Sequence, residues 1–236
     1  DLKSEKSWNK EIGIRSQNLY SFLNIEYSLF HVNIENLVAA GRGTAFENLG
    51  EVETAGSELS AKIDLSNFPI LPTLYISHTY LISNIESAVL DQYRFMGERP
   101  ISINGNELPY TPRNTLLIGL EKNLFNKLTV RVDYKSVDKV FTDFHNIDNK
   151  GLRGSWDNIG KIGIKGPIPA YNILNANILY KINSKVTISL IGKNILDNIY
   201  IGSRLHSNPD QKQADLSSGI IPGPRRQINF SIKVSI

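Results

Sequence analysis

The sequence predicts an all-β protein whose strands form part of a transmembrane, antiparallel, up-and-down β-barrel. Apolar and polar residues alternate with a period of two along much of the chain. Short and long connections between the predicted strands also alternate, without exception. No helix is predicted, because the period of 3.6 residues is absent and no run of about 18 apolar residues exists.

Nine strands account for this alternation, and the last one shows it most clearly. Every second residue from Ile228 to Ile236 is apolar, and the residues between them are polar. In a strand, such a pattern places all apolar side chains on one face and all polar side chains on the other. The predicted strands lie near residues 6–16, 20–36, 53–65, 71–83, 113–123, 127–140, 170–181, 185–199 and 225–236.

The connections add the direction of the strands. Four short turns are predicted near residues 17–18, 66–70, 124–126 and 183–184. Four long loops are predicted at about 37–52, 84–112, 141–169 and 200–224. Outer-membrane barrels have short periplasmic turns and long extracellular loops, so the last strand is predicted to run towards the periplasm.

A soluble β-sandwich or barrel is the competing interpretation of the same period, with the apolar face turned inward. The asymmetry of the loops favours the membrane barrel. Arg131, Asp133 and Lys135 suit a wet lumen, although they would also suit a solvated surface. Nine is an odd number, and open sheet edges are unfavourable in lipid, so further strands are expected before residue 1.

The composition excludes several classes of function. The 236 residues carry a net charge of only +3, which gives no reason to expect a nucleic-acid partner. Without cysteine there can be no disulfide, thiolate metal site or cysteine nucleophile. The four histidines have no metal-binding spacing, and segment 146–151 is interpreted as a turn rather than a calcium loop. No catalytic motif is found, so neither enzymatic activity nor a cofactor is expected.

Two segments near the end of the chain carry a family resemblance. Residues 194–200 read N-I-L-D-N-I-Y, and residues 219–226 read G-I-I-P-G-P-R-R. Their order and spacing resemble the penultimate strand and the start of the last strand in TonB-dependent outer-membrane receptors. Segments 5–13 and 47–59 also resemble strands of that family, so the resemblance covers nearly the whole chain. One departure is Ile236, where outer-membrane proteins usually end in an aromatic residue.

This resemblance implies that residues 1–236 are the C-terminal part of a 22-stranded barrel, with the plug and earlier strands before residue 1. The implied function is TonB-energised uptake of a ferric chelate through the bacterial outer membrane. The implied partners are TonB, reached through the plug, outer-membrane lipid and lipopolysaccharide, and the chelate as transported ligand. Segments 108–114, 141–146 and 166–171 are most similar to ferric dicitrate receptors. A passive porin, an adhesin barrel and a soluble carbohydrate-binding β-domain are the alternatives.

Two sets of residues are candidates for functional roles. The first set belongs to the family motif and is interpreted as structural, because its short polar side chains and prolines shape the last loop; it comprises Asn194, Asp197, Tyr200, Pro222, Pro224 and Arg225. The second set consists of loop cations that could bind the carboxylates of an anionic chelate, since arginine forks suit carboxylates. Its members are Arg42, Arg94, Arg99, Arg153 and Arg204, with Lys150 and Lys212.

Overall fold

The computed structural model of the protein describes residues 2–40, 46–66, 68, 70–90, 101–142, 144, 146, 167–204 and 220–235. Within these ranges the secondary structure consists of strands and turns. The strands are β1 Lys6–Leu19, β2 Leu23–Ala40, β3 Phe46–Ile63, β4 Thr73–Leu90, β5 Ile101–Ser102, β6 Asn114–Leu124, β7 Leu128–Val137, β8 Tyr171–Lys181, β9 Val186–Lys193, β10 Ile201–Arg204, β11 Ile220–Pro222 and β12 Gln227–Val234.

One antiparallel sheet contains all the long strands, in the order β1-β2-β3-β4-β6-β7-β8-β9-β12. Each strand pairs with the next long strand along the chain, so the predicted up-and-down arrangement of about nine strands is confirmed. The short strand β5 extends the pairing of β4, and β10 pairs with β11 in a separate hairpin. Among the described residues, no helix is long and apolar enough to cross a membrane.

The predicted loop at 37–52 is wrong, because β2 continues to Ala40 and β3 already begins at Phe46. The regular alternation breaks at three register shifts, two that flank Leu37 and one between Glu51 and Val52, while the pairing of the strands continues. Gly50 makes the last of these shifts possible. It has a φ of 126°, and a Cβ there would lie 1.8 Å from the carbonyl oxygen of Ser87.

The register places the apolar residues of neighbouring strands side by side. Val132, for example, pairs with Leu120 and with Ala176, whereas the adjacent Asp133 pairs with Gly119 and Asn175. We call the side carrying Val132 the apolar face and the side carrying Asp133 the polar face. Residues of the apolar face that stay substantially exposed include Ile12, Leu29, Tyr80, Leu120, Tyr134, Ile178, Leu190, Phe230 and Val234.

The exposure of the apolar face argues against the predicted alternative of a soluble sandwich. Phe230 and Val234 remain 62% and 64% exposed, and no second sheet packs against this face in the part of the chain that the structure describes. A soluble sandwich would bury these side chains between two sheets. The described residues therefore form a single amphipathic sheet, as a partial barrel requires.

The buried hydrophobic core lies at the loop end of the sheet, where the long connections are. It consists of Val52, Ile85, Ala88 and Ile103, all 5% exposed or less. Val52 pairs with Ile34 and Ile85 across three strands, which places these side chains on the polar side of the sheet. The partly buried Ile34, Leu37, Leu108 and Phe144 pack around them. We call this cluster the loop-end core.

Candidate functional site

A charged cluster lies on the polar face, near the tight-turn ends of β4, β6 and β7, and is centred on Arg131. The guanidinium of Arg131 donates to Asp133 at 2.9 Å, approaches Glu121 at 3.5 Å and lies 4.9 Å from the centre of the Tyr75 ring. Gly119 leaves room for this arrangement, since a Cβ there would lie 2.7 Å from Asp133 Oδ1. Arg131 thus pairs with two carboxylates on the polar face.

A second polar assembly connects the loop ends of β9 and β12, and its central residue is Asn194. The amide of Asn194 donates to the carbonyl oxygens of Asn198 at 2.9 Å and Pro224 at 3.0 Å. Its Oδ1 accepts from the backbone N–H of Asn198 at 3.0 Å. The side chain is buried, and its φ of 47° is a left-handed conformation that asparagine tolerates. Asn194 therefore ties the start of the last loop to its end.

Asp197 forms the ionic part of the same assembly. Its carboxylate accepts two hydrogen bonds from the Arg225 guanidinium, at 2.9 and 2.5 Å, and one from the backbone N–H of Arg226 at 2.9 Å. The Arg225 guanidinium, followed by the Arg226 N–H, holds the pKa of the Asp197 carboxyl well below its usual range. This bidentate, charge-assisted interaction fixes both the distance between Asp197 and Arg225 and the relative orientation of their side chains.

Tyr200 completes the assembly by close packing. Its ring stacks on Tyr171 with centroids 4.4 Å apart, and its carbonyl oxygen accepts from Gly223 at 2.8 Å. A Cβ on Gly223 would lie only 2.2 Å from the Tyr200 ring, so only glycine fits beneath it. Pro222 pairs with Ile201 in the small hairpin. We call this whole assembly the strand junction; it brings together Asn194, Asp197, Tyr200, Pro222, Pro224 and Arg225.

Most of the predicted loop cations lie in parts of the chain that the structure does not describe. Arg42, Arg94, Arg99 and Arg153 lie outside the described residues, as do Lys150 and Lys212. Arg204 is the last residue of β10, and only its backbone is described. Binding of a chelate by these side chains stays a prediction. Among the described residues there is no group of three or more His, Asp or Glu side chains that could hold a metal ion.

Sequence reasoning missed several contributors to both polar assemblies. Tyr75 and Glu121 join Arg131 through strand register, which the sequence does not reveal. Asn175 accepts from the backbone N–H of Asn194 at 3.0 Å, and Tyr171 provides the stacking surface for Tyr200. Asn175 and Tyr171 could not be singled out from the sequence, because both lie in a predicted strand that contains several other polar and aromatic residues.

Several solved structures resemble this chain in fold. The unliganded ferric citrate transporter FecA superposes with a TM-score of 0.73 at 21% identity, over 98% of this chain and 31% of that one. The siderophore receptor PiuA from Acinetobacter baumannii gives 0.69 at 19% identity, over 97% of this chain and 28% of that one. The closed form of the ferric-catecholate import receptor Fiu from Escherichia coli K12 gives 0.68 at 19%, over 99% and 28%. The chain thus spans less than a third of these proteins.

The sequence comparisons identify the family. No curated protein matches the sequence significantly. The family model described as TonB dependent receptor-like, beta-barrel, matches residues 1–195, which is most of the chain. That match agrees with the single antiparallel, amphipathic sheet described above. The chain therefore belongs to the family of TonB-dependent receptor-like β-barrels.

Proposed function

We propose that this chain is the C-terminal part of a bacterial outer-membrane receptor that imports a ferric chelate using energy delivered by TonB. The observation that carries the proposal is the amphipathic sheet. Its apolar face is uncovered, as a lipid-facing wall must be, and its polar face holds the charged cluster around Arg131. Membership of the TonB-dependent receptor family and the likeness in fold to ferric citrate and siderophore receptors support the same function.

The edges of the sheet support the proposal that further strands belong to the barrel. In the described part of the chain, β1 pairs only with β2, and β12 pairs only with β9. An unpaired backbone group in lipid costs on the order of several kcal/mol, so an open edge is not stable there. We propose that the preceding strands close a 22-stranded barrel, and that a plug carrying the TonB-binding segment precedes them.

The transported ligand in this proposal is an anionic ferric chelate, either ferric citrate or a siderophore complex. The loop cations Arg42, Arg94, Arg99, Arg153 and Arg204 supply forks that can bind its carboxylates. Iron is cargo rather than a resident cofactor, and the process is transport rather than catalysis. Outer-membrane lipid and lipopolysaccharide contact the apolar face and the residues above it.

Iron uptake by the complete protein tests this function. The full reading frame, expressed in an outer-membrane-receptor-deficient bacterium, is expected to restore uptake of radioactive iron from ferric citrate or a siderophore. Deleting TonB from that strain is expected to abolish the restored uptake. Uptake that persists without TonB would instead indicate a passive porin. Release of the protein into the soluble fraction without detergent would indicate a soluble β-domain.

The orientation can be tested independently of the ligand. This chain contains no cysteine, so single cysteines can be introduced at Glu51, on the loop end, and at Ser184, in a tight turn. Both positions are exposed. In intact cells, a membrane-impermeant maleimide is expected to label the Glu51→Cys variant and not the Ser184→Cys variant. Labelling of Ser184→Cys alone would reverse the proposed orientation.

A further inference from the structure

The side chain of Lys122 places a positive charge on the apolar face, near the tight turns. Lys122 pairs with Val130, and Val130 pairs with Ile178 on the apolar face. The Lys122 side chain therefore shares that face with Leu120 and Leu124, which lie two residues before and after it. It lies about 7 Å along the strand from the end of β6. A charge at this position in an apolar surface requires a polar partner.

The ammonium group of Lys122 is held by the tight turn between β3 and β4. It donates to the carbonyl oxygen of Leu71 at 2.7 Å and to that of Phe68 at 3.2 Å. An ammonium group has three N–H donors, so these two bonds leave one donor available. Within the described part of the chain, Lys122 forms no ion pair with a carboxylate, whereas Arg131 on the polar face contacts two. The charge of Lys122 is thus fixed in position but not neutralised.

The strands expected before residue 1 would not border Lys122. β6 lies inside the sheet, between β4 and β7, and the sheet continues beyond both of these strands. The missing strands would join the sheet at β1 and β12, several strands away. The plug would lie inside the barrel, on the polar face. A partner from outside the chain therefore approaches the Lys122 ammonium from the apolar face.

The turn that holds Lys122 adds exposed apolar side chains to the same face. The ammonium group reaches this turn from the apolar face, so the turn lies against that face. Phe68, Ile70 and Leu71 are all exposed there, Ile70 to 89%. Large apolar side chains beside a lysine are unfavourable in water but typical of a bilayer boundary, where apolar groups meet acyl chains and lysine reaches the headgroups. This combination indicates contact with lipid.

The anionic group that a lipid presents at such a boundary is its phosphate. In a glycerophospholipid, the phosphate joins the headgroup to the acyl-bearing glycerol, at the level where the apolar surface ends. Lysine binds phosphate as a point charge, and lysine near a membrane surface is attracted by anionic lipids. An acidic protein segment would have to place its backbone in lipid to approach from the same side, which leaves backbone groups unpaired. The position of Lys122 therefore favours a lipid phosphate.

We propose that Lys122 binds the phosphate of an anionic glycerophospholipid whose acyl chains pack against Phe68, Ile70 and Leu71. That this surface faces lipid, and that the lipid belongs to the periplasmic leaflet, rests on the proposed function. The N–H that the two turn carbonyls leave available donates to a phosphate oxygen. The positive charge favours a lipid of net negative charge over a zwitterionic one. This contact would hold the tight turn at a defined depth in the bilayer.

Site-specific fluorescence quenching tests the proposal. The full-length receptor, in a background without other cysteines, carries a bimane label at Leu120→Cys, on the apolar face two residues from Lys122. It is reconstituted in phosphatidylcholine vesicles, in which brominated phosphatidylglycerol or brominated phosphatidylcholine replaces part of the lipid. The relative quenching measures which lipid occupies the surface beside the label. Phosphatidylglycerol is expected to be favoured several-fold, on the order of one lysine contact near a membrane surface, and the preference is expected to fall as salt rises.

Substitution of Lys122 tests whether its ammonium group causes the preference. Lys122→Met keeps an unbranched side chain without the charge and is expected to abolish the preference for phosphatidylglycerol. Lys122→Arg keeps the charge and is expected to keep most of the preference. The matched control is Lys135→Met, which removes a lysine from the polar face of the neighbouring strand β7 and is expected to behave like wild type.

The outcomes separate this inference from the proposed function. The inference is overturned if wild type shows no preference, if Lys122→Met keeps it, or if Lys135→Met loses it equally. A lower unfolding temperature of Lys122→Met with an unchanged lipid preference would also overturn it and leave Lys122 the role of holding the turn. A wild-type preference that is independent of salt would overturn it without any variant. If neither brominated lipid quenches the label, the apolar face does not meet lipid, and both the inference and the proposed function fail.

Discussion

Ile85 and Ile232 are the same side chain in strands of the same sheet, yet Ile85 is 0% exposed and Ile232 is 57% exposed. Ile85 belongs to the loop-end core, where Ile103 and its neighbours cover it. Ile232 lies on the apolar face, where the described residues provide no cover. At the loop end, apolar residues hold protein segments together, whereas on the apolar face of the proposed barrel they would meet lipid. Hydrophobicity therefore has two different functions in one sheet.

The boundary between the two regions is visible as an inversion of polarity along β2. Near the tight turns, Tyr27 and Leu29 occupy the apolar face and Glu26 the polar face. Beyond Leu29 the same side of the strand carries polar residues, and His31 there contacts Glu53 at 2.5 Å. The opposite side becomes apolar and leads into the loop-end core. A wall that leaves the lipid and rises into water is expected to invert in this way.

The largest effect is expected from removing a side chain of the loop-end core. Ile85→Ala should destabilise that region by about 2–5 kcal/mol, because it leaves a cavity among well-packed neighbours. The backbone of Ile85 also pairs with Asn106 and Gly105 at 2.8 and 2.7 Å, so the loss should reach the loop. Hydrogen exchange of the full-length receptor should show faster exchange at the Gly105 amide. The matched control is Ile82→Ala on the other side of β4, and an equal effect there would contradict the distinction between the regions.

The next largest effect is expected on the apolar face, and two adjacent residues test it. Ile188→Arg should lower the free energy of unfolding in lipid vesicles by about 2–4 kcal/mol, because it places a charge in the hydrocarbon. Ser189→Arg, one residue later on the polar face, should cost much less. Urea titration of the full-length receptor measures both. Equal costs at Ile188 and Ser189, or a larger cost at Ser189, would show that the apolar face does not meet lipid.

The two regions that these predictions test differ in how well the sequence predicts their structure. The alternation around Ile188 and from Ile228 onwards predicts both the strands and their two faces, because one face meets a single solvent over the whole segment. At the loop end, one face of a strand no longer meets a single solvent along its length. The shift at Gly50 and the inversion beyond Leu29 interrupt the period while pairing continues, so segment 37–52 resembles a loop in the sequence.

The strand junction was only partly predictable for a different reason. The spacing within 194–200 and 219–226 identifies the residues, and their short polar side chains and prolines predict a shaped turn. The pairing of Asp197 with Arg225 spans 28 residues, and the part of the loop between β10 and β11 lies outside the described residues. Local pattern cannot predict which of two adjacent arginines forms the fork.

A smaller effect is expected at the packed part of the strand junction. Gly223→Ala should destabilise the receptor by about 1–3 kcal/mol, because the new methyl group would overlap the Tyr200 ring while Tyr171 blocks its other face. Tyr200→Leu in the Gly223→Ala background should recover part of that loss. A double-mutant cycle of thermal unfolding measures the coupling. Additive costs would show that the ring moves freely and that glycine is not required there.

The smallest effect is expected at the ionic part of the junction, because Arg225 is largely exposed to solvent. The folded-state pKa of Asp197 is depressed, so its contribution to stability is complete above the unfolded-state pKa near 3.8 and is lost as pH falls further. Asp197→Asn should therefore lower the unfolding temperature at pH 7, and the difference from wild type should shrink progressively as the pH falls from about 4 to 2 without vanishing there, because the folded-state pKa lies lower still. Other carboxylates titrate in the same range, so the informative quantity is the difference between wild type and variant at each pH. Arg225→Lys keeps the positive charge but not the bidentate hydrogen bonds. Its unfolding temperature at pH 7 should therefore lie between those of wild type and Asp197→Asn. A difference that stays constant from pH 7 to pH 2 would assign the effect to hydrogen-bond geometry instead of charge.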